Sequence, residues 1–185
     1  KFGVDVDHID QLEIVRRAEL VDADRVTQMM DWMSDSFASI ALGEGSLTQE
    51  KLEFQARCYL ANKDINEEKG LDFISVKCMT ELSDHYVPQC LSATLMPGIH
   101  DAEGTKPSCA MSCEADGDGA LSMEILKLVS GGGATLFGDV SHMDTEKGIF
   151  YLPNCGGMCS WFAGRSDDAA DNISKIELRP SVRPG

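Results

Sequence analysis

The sequence holds no apolar run approaching the roughly 20 residues of a bilayer-crossing helix. It is also poor in basic charge. Lys and Arg number 16 against 31 Asp and Glu, for a net charge of −15 at pH 7. Such a chain repels phosphates, so no nucleic acid and no membrane surface is expected as a partner. Cations and neutral polar molecules are. No internal repeat and no low-complexity tract interrupts it. The first residue is Lys1 rather than Met, so the natural start is expected upstream and signal-peptide arguments do not apply.

What is present suffices for a packed core. Hydrophobic residues make up 43% of 185 positions, which fits one domain, or one domain plus part of another. The seven cysteines are odd in number, and their spacing suggests no compact disulfide framework. Several sit inside apolar runs, where a thiol acts as a small hydrophobe. A reducing, cytoplasmic compartment is the expectation.

The N-terminal third reads as helical. In "DHIDQLEIVRRAEL", Ile9, Leu12, Val15 and Ala18 fall near helical spacing, with Asp7 as the expected N-cap. "DADRVTQMMDWMSDSF" repeats the pattern, its methionines serving as core filler. Ser46 with Gln49 predicts a capping box for a helix running to about Lys69. After Gly70 the pattern shifts. "LDFISVKC", "PSCAMSC", "ATLFGDV" and "GIFYLPNC" read as strands. Between them, "DHYVPQCLSATLMPG" and "DGALSMEILKLV" read as helices, the latter with Leu121, Ile125, Leu128 and Val129 inward. This rhythm predicts an α/β fold, a parallel sheet with helical crossovers on its faces.

In that arrangement Glu114 closes one strand and Asp139 the next. Parallel neighbours would set both acids on one sheet edge, about 5 Å apart, where open α/β sheets bind ligands. Lys77 would point to the same edge, and Asn154 joins it. Two carboxylates so close require a proton or a cation between them. Oxygen donors suit a hard divalent ion. Such an ion with a nearby acid suits proton abstraction beside a carbonyl. The plainer alternative is that acids at strand ends cap the next helix, for which Asp116 and Asp118 are better placed.

Other constellations are weaker. "EADGDG" has calcium-loop offsets, but Ile125 stands at the closing position. Cys109, Cys113, Cys155 and Cys159 make two C-x3-C pairs that zinc could use, or that strands would bury. "SGGGAT" lacks the glycine order of a dinucleotide loop. His85, His100 and His142 suit surface or capping roles, His85 at the start of a helix.

The blocks "FGVDVDHIDQLEIVRRAE", "ISVKCMTELSDHYVPQC", "SCEADGDGALSMEILKLVSGG" and "LFGDVSHMD", in this order, resemble the L-fucose isomerase and L-arabinose isomerase family. The resemblance implies a manganese-dependent aldose–ketose isomerase of three domains, with Mg2+ or Co2+ as substitutes. Residues 1–130 would be its Rossmann-like middle domain and 131–185 the start of its C-terminal domain. Glu114 and Asp139 would be metal ligands and the acid/base pair. Lys77 would contact substrate, where the family often carries Gln. The family's third ligand is a His far along the C-terminal domain, which none of the four His here matches. Homo-oligomers, trimers or hexamers, are implied, with a small sugar as substrate. The rival expectation is a non-catalytic sugar-binding or assembly module. A third is a calcium-stabilised structural domain.

Overall fold

The structure is a computed structural model and describes residues 2–43, 47–154 and 156–180. The fold is α/β. Two helices open it: α1 over Gln11–Leu20 and α2 over Ala23–Ser36. Asp10, rather than Asp7, caps α1 by accepting from the Leu12 amide, while Asp7 receives the Lys69 ammonium at 2.7 Å. Asp22 caps α2 through the Asp24 and Arg25 amides. Val26, Met29 and Met33 are buried beneath it, as the helical spacing requires.

A short strand β1, Ser39–Ile40, follows. Helix α3, Gln49–Lys69, is the long central element. Thr48 caps it through the Lys51 amide at 3.2 Å; the expected cap, Ser46, lies outside the described residues. Gly70 ends it at φ +62°, a left-handed cap. Its centre is buried on several faces, including Ala56, Cys58, Tyr59, Leu60 and Ala61, and α1 and α2 pack against it.

Strand β2, Phe73–Val76, leads into α4, Glu81–His85, and α5, Cys90–Leu95. The sequence pattern suggests one helix here, and two form. Pro88 lacks an N–H and disfavours helical backbone at Val87, so the chain breaks between them. His85 therefore ends a helix instead of beginning one. The hairpin β3 (His100–Asp101) and β4 (Gly104–Thr105) returns the chain to β5, Ala110–Cys113. All of β5 is buried, and it pairs in parallel with β2.

Helix α6, Gly117–Val129, is the crossover packed on β5 and β2. Its orientation corrects the expectation. Ala120, Met123 and Glu124 are buried, while Ile125, Leu128 and Val129 are exposed. Ala120, at 0% exposure, is the small residue that lets the helix approach the sheet. Lys127 rides on the same inner side, donating to the Ser108 carbonyl at 3.0 Å and pairing with Glu124 at 2.6 Å.

The segment after the glycines also departs from expectation. Residues 134–140 form no regular strand and do not extend the parallel pair. They continue into a hairpin, β6 (His142–Asp144) antiparallel to β7 (Ile149–Tyr151). Asp139 donates its amide to Pro153 at 2.8 Å, and Ser141 to Tyr151 at 3.0 Å. The cause is the turn at 144–148. Asp144 accepts from the Glu146 and Lys147 amides, and Gly148 turns at φ +65°. A nearby antiparallel partner closes a shorter loop than a parallel one does.

Short helices α7 (Trp161–Gly164) and α8 (Ala169–Ile173) precede β8, Glu177–Leu178. Strand β8 pairs in parallel with β1. Among the described residues, no helix is long and apolar enough to cross a membrane.

Candidate functional site

The register of β2 against β5 ends at Val76 opposite Cys113. Lys77 and Glu114 are the next residues on the two strands, so both leave the sheet at its carboxyl end. Beneath them the rim is braced. Ser75 and Ser112 are register partners with hydroxyls 2.6 Å apart, and Ser112 donates onward to the Asp116 carbonyl at 2.7 Å. Ser112 is fully buried. Asp116 in turn caps α6 by accepting from the Gly119 amide at 2.8 Å.

Between the brace and the cap the backbone is forced through two left-handed residues. Glu114 has φ +61° and Ala115 φ +55°. Each such conformation costs a non-glycine residue about 1–2 kcal/mol, and strain of this kind concentrates where a fold holds a side chain for a task. Glu114 is exposed at this corner.

Asp139 does not follow a parallel neighbour of β5, the position that the sequence pattern predicts. It is exposed, at the base of the β6–β7 hairpin. Two residues earlier, the Phe137 ring lies over the first turn of α6: a Cβ placed on Gly119 would fall 2.8 Å from it. Asn154 is half-buried and donates to the Phe137 carbonyl at 2.7 Å. Lys77 is exposed, its ammonium 3.0 Å from Glu81. Backbone donors at the start of α4, and after them that contact, hold the Glu81 carboxyl below its usual range.

Among the described residues, no group of three or more His, Cys, Asp or Glu could hold a metal ion. Glu114 and Asp139 are hard oxygen donors of the right type, yet two acids do not complete the shell a Mg2+ or Mn2+ ion takes. The expected metal thus lacks a full ligand set here. The zinc alternative involves Cys155, outside the described residues. His142 stacks on Tyr151 at 4.2 Å between ring centres.

A charged cluster away from this rim was not visible in the sequence. Asp101 is 1% exposed and accepts from the Tyr59 hydroxyl, the Lys63 ammonium at 2.8 Å and the Glu103 amide at 2.8 Å. Burial pulls its carboxyl upward, but the Lys63 and Tyr59 hydrogen bonds outweigh it and the group sits below its usual range. Lys63 also meets Glu103 at 2.7 Å, and Arg25 joins Glu103 to Asp64. The cluster ties the β3–β4 hairpin to α3 and α2. Its members come from distant segments, so no spacing rule could have found them.

No family model matches the chain. Over 112 residues it is 30% identical to sulfoquinovose isomerases of Priestia aryabhattai and Priestia megaterium, covering 60% of this chain and 23% of each relative. Over 155 residues it is 23% identical to the sulfoquinovose isomerase of Alkalicoccus urumqiensis, covering 84% of this chain and 32% of the relative. The chain thus spans about a quarter to a third of the length of these curated relatives.

Proposed function

We propose that this chain is part of an aldose–ketose isomerase, with Glu114 as its principal proton-moving group. One observation carries the reading: a carboxylate held by strained left-handed backbone at the carboxyl end of a buried strand, beside Lys77. The named activity of the relatives supports it. Glu114 would take a proton from the carbon next to the sugar carbonyl, giving an enediol, and Asp139 would share in returning it to the neighbouring carbon. Lys77 and Asn154 would orient substrate oxygens. A divalent ion, Mn2+ by preference and Mg2+ or Co2+ in its place, would polarise the carbonyl. Glu114 and Asp139 would supply two of its donors, with the remaining ligands coming from outside the described residues. In this reading residues 1–130 form the substrate domain and 131–185 begin a further one, within a cytoplasmic homo-oligomer, trimeric or hexameric.

The sugar class divides two ways. The sequence resemblance points to L-fucose, D-arabinose or L-arabinose; the relatives point to sulfoquinovose, a glucose with a sulfonate in place of its 6-hydroxyl. The test is Glu114→Gln in the full-length protein with Mn2+, following ketose formation. A loss of about 10²- to 10⁴-fold is expected for a general acid/base; undiminished turnover overturns the role. The alternative reading is a sugar-binding or assembly module without catalysis. Sugar binding without turnover by the full-length protein would establish it.

A further inference from the structure

We propose that Lys77 reads an anionic substituent on the sugar, a sulfonate, and that the Glu81 carboxylate occupies that substituent's place until substrate arrives. The inference rests on the isomerase reading and names the substrate class of the same rim.

The chain carries a net charge of −15, so an anionic sugar approaches against the overall field and needs a local cation. The groups at this rim are mostly acidic. Glu81 and Asp84 lie on α4, Glu114 follows β5, and Asp116 and Asp118 open α6. Among the described residues, Lys77 is the cation placed with them, one residue past the register pair Val76 and Cys113. Its ammonium has three donors and gives one to Glu81 at 3.0 Å. Both partners are about half exposed, 52% and 48%, so water competes for the pair and exchanging one oxyanion for another costs little. A neutral sugar needs no such cation, since a hydroxyl is served by any polar side chain. A sulfonate offers three acceptor oxygens and a full charge, which suits an ammonium.

The arrangement makes Lys77 and Glu81 opposites in function although they form one ion pair. Lys77→Met and Glu81→Gln both break that pair. If the pair only supports the fold, the two variants behave alike. If Glu81 competes with substrate, they diverge. The experiment is calorimetric titration of the full-length protein with sulfoquinovose and with its neutral analogue 6-deoxyglucose, at low and at raised salt. The preference for the sulfonated sugar should fall about 10- to 100-fold in Lys77→Met. It should rise about threefold or more in Glu81→Gln, and shrink as salt is added. Loss of the preference in both variants, an unchanged preference in Lys77→Met, or binding of neither sugar overturns the proposal. Ketose formation in the same samples separates the two levels. If neither sugar is converted, the isomerase reading falls; if the neutral sugar is converted and Lys77→Met keeps its preference, only the role of Lys77 falls.

Discussion

Asn154 and Phe137, 17 positions apart, meet through a 2.7 Å hydrogen bond from the Asn154 amide to the Phe137 carbonyl. The Asn154 carbonyl oxygen also accepts from the Gly156 amide at 3.1 Å. One side chain thus fastens the base of the β6–β7 hairpin, next to Asp139. Asn154→Ala should cost about 1–3 kcal/mol, the usual penalty for leaving a partly buried carbonyl without its donor. Hydrogen exchange is the sharper readout. The Asp139 and Ser141 amides, which donate across the same hairpin, should exchange faster, while amides of α3 should not change.

The left-handed pair at Glu114 and Ala115 makes a second prediction. Ala115→Gly relieves the conformation at φ +55° but adds freedom to the unfolded chain, so stability should rise by about 0.5–1 kcal/mol. Ala115→Val places a β-branched side chain there and should lose about 1–2 kcal/mol or more. Denaturant midpoints that shift the same way in both variants would contradict the assignment of strain.

Removing the buried carboxylate at Asp101 should be severe. Asp101→Asn keeps the shape but leaves Lys63 relying on Glu103. Breaking such a buried pair costs about 3–5 kcal/mol. The native carboxyl sits below its usual range, so its contribution is present above the ordinary Asp range and fades as acid reaches the lowered value. The variant should therefore show a flatter loss of stability below about pH 4.

Lys106 works in the opposite sense. Its ammonium is buried between the carbonyls of Met96 at 2.9 Å and Gly98 at 2.6 Å, and desolvation lowers it to about 8. The unfolded chain holds this proton up to the ordinary lysine range. Unfolding therefore takes up a proton between about pH 8 and 10.5, and this group's contribution to stability rises with pH across that window. Burial pushes the thiols of Cys58 and Cys109 up to about 11, which works against stability above pH 9. The difference between wild type and Lys106→Met isolates the lysine. Measured from pH 7 to 10.5, that difference should change by up to about 3 kcal/mol in favour of wild type. A pH-independent difference would refute the assignment.

Helices α1 and α2 are legible because their apolar residues recur at helical spacing, α3 because a capping signal opens it and Gly70 closes it, and β2 and β5 because short apolar runs sit between turn residues. The cap of α1 is not, since Asp10 rather than Asp7 takes that place. Glu114 at a strand end followed from the same pattern. The route to Asp139 did not. "ATLFGDV" is short enough to pair in either direction, and the deciding signal lay downstream in "DTEKG", whose Asp144 and Gly148 build the hairpin turn. The facing of α6 differs from the hydropathy pattern, which favours Leu128 and Val129 inward although both are exposed. The sheet instead takes the side bearing Ala120, where Glu124 and Lys127 neutralise each other. Which side a helix shows depends on how closely its partner can approach, and spacing alone does not carry that.

The pairing of β1 with β8 also bears on how the chain is made. Ser39 and Ile40 find their partners at Glu177 and Leu178. At ribosomal speeds of about 5–20 residues per second, β1 waits on the order of ten seconds for β8 to be synthesised. During that interval its open edge is available to wrong partners. Strand β1 is sealed by a partner made more than a hundred residues after it.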